Sequence, residues 1–310
     1  MKKPVVFVGD VALDEYYQAP YWPKIKDKVD VVTLPAQYGG MIANACCVYN
    51  HLASGNTRFM GLLNRGAVSQ MLIQNLNDQG IDTSLMLYDD ALPDSKCLIF
   101  LAEGEHTIFI PEMPPVKMEI SDSTLKELSE ASYIYTTINT MLSATCGDLK
   151  GLALAKYLRS QGVKLVYDLD VDYLKADNDE AYKQSDIIFV NQTGRDSLAH
   201  GRSEQQLAKD FLSYGAKLFA VTLAEQGVHI YSQNQMIHVP ALSVEVKDVT
   251  GAGDTFCASF LYALQKGYDP KEAGEFATAA AALCIQSLGA RVQNLNEKAV
   301  LKLLAQTALQ

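Results

Sequence analysis

The stretch KDVTGAGDTF, residues 247–256, sets Gly251 and Gly253 around a single alanine and puts an acid, Asp254, at the next position. The continuation ASFLYALQKG, read with Phe256, places Phe256, Phe260, Leu261 and Leu264 on one face and stops at Gly267, which predicts a helix beginning near Gly253. Glycines leave their N–H groups unshielded, and a helix start carries partial positive charge, so loop and helix could converge on an anion. On these residues alone a second reading stands: an ordinary glycine turn with Asp254 as a helix cap.

Outward from this motif, apolar runs of strand length alternate with segments of helical period. The runs are VVFVG near Val5, TRFMGLL near Thr57, YIYTT near Tyr133, KLVYD near Lys164, IIFVN near Ile187 and KLFAVTL near Lys217. The segments between them, such as IANACCVYNHLA and SEQQLAKDFLSYG, complete the pattern of an α/β protein whose mostly parallel sheet is covered by helices. Residues 14–38 and 95–116 break the alternation with β-rich pieces, the second reading as a hairpin that turns at Glu103-Gly104-Glu105. They are expected to form a small sheet, a lid, over a main body made of residues 1–13, 39–94 and 117–310. Several strand-like runs end in polar residues (Asp10 and Asp14, Asp168, Asn191, Thr222), which points to a cleft along the edge where the loops leave.

Composition narrows the partners. The chain has 310 residues, 48% of them hydrophobic, enough for a large core. Acids outnumber bases 36 to 26, for a formal net charge of -10, with no basic run to follow a phosphate backbone. Nucleic acid and anionic membrane surfaces are therefore disfavoured. The apolar opening is cut short by Gly9 and Asp10, so it reads as a first strand and not as an export signal. A cytoplasmic protein with reduced thiols is expected, since the six cysteines show no C-x-x-C spacing and the five histidines no metal-ligand pattern.

KDVTGAGDTF, the alanine-rich helix and LGAR after it resemble the carboxyl-terminal signature of the ribokinase or PfkB family of carbohydrate and nucleoside kinases. VGDVALDEY, YGGMIANACCVYNHLASGNTRFMGLLN, VNQTG and VTLAEQG match further family segments in order along the chain. The resemblance implies a ribokinase-like three-layer sandwich with a β-lid, and a kinase that transfers the γ-phosphoryl group of ATP, used with Mg²⁺, to a hydroxyl. It implies Asp254 as the general base and the N–H groups of Gly251, Ala252 and Gly253 as the anion hole. Asp14, Gly39, Gly40 and Asn44 fall on its sugar side, with Asn139 where ribose-type members carry Glu. Asn191, Thr222 and Gly227 fall on its nucleotide side, and Asp248 and Thr250 match a monovalent-cation site, for K⁺, of some members.

Three departures accompany the match. Gly194 stands where the family's N-x-x-E element has its glutamate, leaving Asp196 or water for that role around Mg²⁺. Met41 stands for a common lysine, and Ala224 for a common glycine. The first expectation is a sugar kinase; a nucleoside kinase and a non-catalytic regulatory protein of the same fold are the alternatives. Tyr16, Tyr17, Tyr21 and Trp22 could stack on a ligand or pack the lid, and exposed lid edges would allow a homodimer.

Overall fold

A computed structural model describes residues 3–111, 117–169, 179–287, 289–291 and 295–307. Residues 112–116, at the end of the second expected lid interval, and residue 288 of the LGAR stretch lie outside the described residues, as do 170–178 of the expected main body. The strands Thr57–Met60, Val5–Val8, Tyr133–Thr136, Lys164–Leu169, Ile187–Asn191 and Leu218–Thr222 lie side by side in that order, each parallel to the next. Two strands extend the last edge antiparallel, Val228–Tyr231 and Met236–Val239, completing an eight-stranded sheet. The parallel strands read as near-continuous apolar runs because both of their faces are buried.

Alternation sends successive side chains to opposite layers. Val5 and Phe7 join Phe59, Tyr135 and Phe189 under the helices Met41–Ala53, Ala252–Lys266 and Pro270–Cys284. Val6 and Val8 join Met60, Ile134, Tyr167 and Phe219 under Asp122–Ser129, Leu152–Ser160 and Glu204–Ser213. The result is the expected three-layer sandwich.

A second sheet stands off the main one in the order Val32–Thr33, Ala12–Gln18, Lys96–Ala102, Glu105–Phe109, with Gln37–Gly39 also pairing the strand Ala12–Gln18. Its hairpin turns through Glu103 and Gly104, both at positive φ, as a two-residue turn between twisted strands requires. The long strand starts at Ala12, so the sheet roots directly in the loop after the first central strand. Two features were not legible in the sequence: the antiparallel edge pair, and a three-stranded sheet of Met118–Glu119, Ala144–Cys146 and Leu149–Lys150.

Candidate active site

The parallel strands deliver Asp168 and Leu169, Val190 and Asn191, and Thr222 to one end of the sheet, where with Met41, Gly253, Asp254 and Cys257 they line a cavity of about 230 Å³. This is the carboxyl edge at which open parallel sheets bind their ligands. The helix of the glycine motif runs from Ala252 to Lys266 and ends on Gly267, which takes the left-handed conformation usual after a helix. Gly251 precedes it at φ 77°, and a β-carbon there would stand 2.6 Å from the Ala290 Cα, so the tight approach of these two segments needs glycine.

Asp254 thus sits in the first turn of a helix that points its positive end into the cavity. Its Oδ2 accepts a hydrogen bond from the Asn44 amide at 2.9 Å, which joins this helix to Met41–Ala53. Within the glycine loop, Ala252 N–H donates to Val249 O at 3.2 Å. The N–H groups of Gly251 and Gly253 have no backbone acceptor among the described residues. Those two are the donors open to an outside anion in this conformation.

A second group of side chains gathers around Gly39. The Asp14 carboxylate lies so close that a β-carbon on Gly39 would come within 2.0 Å of its Oδ2. Burial raises Asp14 to about 6, against a hydrogen bond from the Cys97 thiol and the nearby Arg291 charge, which lower it. Arg291 closes the LGAR stretch, and nothing in the local sequence assigns it a role. Its guanidinium donates to Gly39 O at 2.8 Å, Asn44 Oδ1 at 2.9 Å and Asn75 Oδ1 at 2.6 Å. Asp14, Gly39, Asn44 and Asp254 are thereby connected through contacts from four separate parts of the chain. Gly40 begins the helix Met41–Ala53, whose first N–H groups, those of Met41 and Ile42, donate to the Asp10 carboxylate.

On the other side of the cavity, Asn191 caps the helix Gln192–Ala199 with its Oδ1, which accepts from Gly194 N–H at 2.7 Å. That bond directs the Asn191 amide nitrogen away from its own helix. Gly194 is buried, and a β-carbon there would meet Val190 Cγ2 at 2.7 Å. Asp196 is exposed, paired with Arg195, and does not line the cavity. The carboxylate that does, besides Asp254, is Asp168, which accepts from the buried Tyr135 hydroxyl. Asp248 Oδ1 accepts from Thr250 N–H and its Oδ2 from Gly289 N–H; burial would raise this carboxyl, but these bonds hold it below its ordinary value.

Two expected site residues lie apart from both groups. Asn139 is exposed on the short helix Ile138–Ser143, and Gly227 heads the antiparallel strand Val228–Tyr231; neither lines the cavity. Among the described residues no group of three or more His, Cys, Asp or Glu side chains could hold a metal ion. Among them, too, no helix is long and apolar enough to cross a membrane.

The geometry agrees with what similarity shows. A ribokinase of Arabidopsis thaliana is 28% identical over 317 residues, covering 97% of this chain and 81% of the relative. A probable fructokinase of the same plant is 27% identical over 271 residues, covering 81% and 83%. The solved structure of Arabidopsis thaliana ribokinase complexed with ribose and ATP superposes with a TM-score of 0.84 at 26% identity, over 98% of this chain and 99% of that one. The family model for pfkB family carbohydrate kinases matches residues 2–297, and the chain belongs to that family of phosphotransferases with an alcohol group as acceptor.

Proposed function

We propose that the protein transfers the γ-phosphoryl group of ATP to a hydroxyl of a small sugar or sugar derivative, with Asp254 as general base. The observation that carries this reading is the placement of Asp254: a carboxylate in the first turn of a helix whose start opens into the cavity, fixed by Asn44. Phosphoryl transfer needs little covalent work from the protein, so positioning and charge stabilisation are the main tasks. Asp14, Gly39, Gly40 and Asn44 would hold the sugar, Asp14 as an ionised acceptor for its hydroxyls. Asn191 and Thr222 would face the phosphates at the strand ends, with Gly227 behind them. As the hydroxyl attacks, Asp254 takes its proton, and the N–H groups of Gly251 and Gly253 meet the charge on the transferring group.

Mg²⁺ would arrive as part of the nucleotide substrate and neutralise charge between its outer phosphates. Asp168, which lines the cavity, would hold water around that ion, since Gly194 has no side chain and Asp196 faces outward. Asp248 and Thr250, next to the glycine loop, would suit a K⁺ ion that would order it. The sheet of residues 12–39 and 96–109 would close over the sugar as a lid.

The test is ADP release from MgATP with D-ribose, D-fructose, their phosphates and nucleosides as acceptors. Asp254→Asn should lower kcat by about 10²–10⁴-fold, the usual contribution of a positioned base. A variant that turns over at the wild-type rate would remove Asp254 from the mechanism.

A further inference from the structure

The three residues Gly289, Ala290 and Arg291 touch Asp248, the glycine loop and the group of side chains around Gly39. Gly289 N–H donates to Asp248, and the Gln37 side chain lies against the Gly289 backbone. Ala290 packs on Gly251 at the start of the anion-hole loop. Arg291 then reaches Gly39, Asn44 and Asn75, which lie 252, 247 and 216 residues away in the chain.

The chemistry of Asn44 gives this contact a direction. A carboxamide has an oxygen that only accepts and a nitrogen that only donates. Arg291 has donors alone, so Nε at 2.9 Å requires the oxygen of Asn44 to face it. The amide nitrogen is thereby turned to Asp254 Oδ2, also at 2.9 Å. Flipping the amide would set donor against guanidinium and acceptor against carboxylate, breaking both bonds at once. Asn44 is 6% exposed, so water cannot readily replace either partner.

We propose that Arg291 is a positioning residue for phosphoryl transfer: by fixing the orientation of the Asn44 amide, it holds the Asp254 carboxylate in the rotamer that receives the acceptor proton. The inference rests on Asp254 being the general base. Its bond to Gly39 O carries the same guanidinium beneath the sugar-side turn, so one side chain sets the base and the sugar platform together. Planarity matters here as much as charge, because three bonds leave one fork in fixed directions. Lysine at this position would keep the charge and lose the geometry.

The experiment compares Arg291→Ala, Arg291→Lys, Asn44→Ala, the double variant Arg291→Ala with Asn44→Ala, and Asp254→Asn. ADP release is followed with MgATP and D-ribose or D-fructose, and with MgATP alone, where water is the acceptor. Arg291→Ala should lower kcat about 10–100-fold with KM for ATP within about threefold of wild type, a range for one misaligned group. Arg291→Lys should recover less than a third of the loss, and millimolar guanidinium should partly rescue Arg291→Ala. Because Arg291 acts through Asn44, removing it from Asn44→Ala should cost no further kcat; additive losses overturn the proposal.

A readout independent of turnover is the pair of Asn44 side-chain amide protons in ¹⁵N-labelled protein, assigned by their loss in Asn44→Ala. They should exchange slowly in wild type and become fast in Arg291→Lys and Arg291→Ala. Unchanged protons in both overturn the proposal. If Asp254→Asn retains kcat while these protons respond to Arg291, the base assignment fails and the orientation of Asn44 stands. If Asp254→Asn is inactive and both Arg291 variants keep kcat, the positioning role alone falls.

Discussion

At the scale of single residues, Asp14 carries opposed demands. Burial lifts its carboxyl to about 6 from an ordinary 3.8, so the folded protein prefers the protonated form. The stability this side chain supplies is greatest below 3.8 and declines as pH rises from there to about 6. Its proposed role at the sugar would ask for the opposite, an ionised acceptor for hydroxyl donors. The acid limb of kcat/KM for the sugar should therefore have an apparent pKa near 6, and Asp14→Asn should flatten it. The same variant should raise KM about 10–100-fold, the loss of one charge-assisted hydrogen bond, and unfold at higher denaturant than wild type at about pH 8. A limb unmoved in Asp14→Asn would assign that titration to another group. Asp14 and Asp254 were legible in the sequence because each sits in a short local motif. Arg291 was not, because its three partners are more than two hundred residues away and no local pattern marks a guanidinium that closes a loop of that length.

Among the elements, readability followed burial. The six parallel strands are covered on both faces and so appear as largely apolar runs set apart by segments of helical period, whereas Val228–Tyr231 and Met236–Val239 follow one another with no helix between them and each contains a histidine, hiding them beside the loop. That loop also keeps a trace of the glycine its place calls for. Ala224 is held at φ 49°, in the left-handed region, where a β-carbon costs roughly 1 kcal/mol. Ala224→Gly keeps the turn and removes the strain, against a comparable gain in unfolded-chain freedom. The net gain should be up to about 1 kcal/mol, read as a midpoint shift in urea at unchanged slope. In contrast, Gly251→Ala combines positive φ with a collision on Ala290, and should lose both stability and kcat while the helix Ala252–Lys266 persists by circular dichroism.

For the whole molecule, the lid sheet poses the largest unsolved problem of surface. Glu105–Phe109 forms its outer edge and is exposed at every position, with Ile108, Phe109 and Ile110 each about half or more uncovered; Val32 at the opposite edge is 64% exposed. Open strand edges with apolar side chains are aggregation templates unless something covers them, and a second lid is the partner that self-complementarity supplies. A lid steadied by its twin would keep Asp14, which lies on a strand of that sheet, over the sugar. The protein should therefore sediment as a dimer at micromolar concentration, and Ile108→Lys with Phe109→Lys should yield a monomer. These side chains lie outside the core, so the monomer should keep a thermal midpoint close to that of wild type. Its KM for the sugar should rise several-fold while kcat at saturation changes little, since in the proposed mechanism the lid would help to hold the acceptor and would take no part in proton transfer at Asp254. A wild-type monomer at that concentration, or a variant that remains dimeric, would place the self-association surface elsewhere or nowhere on this sheet.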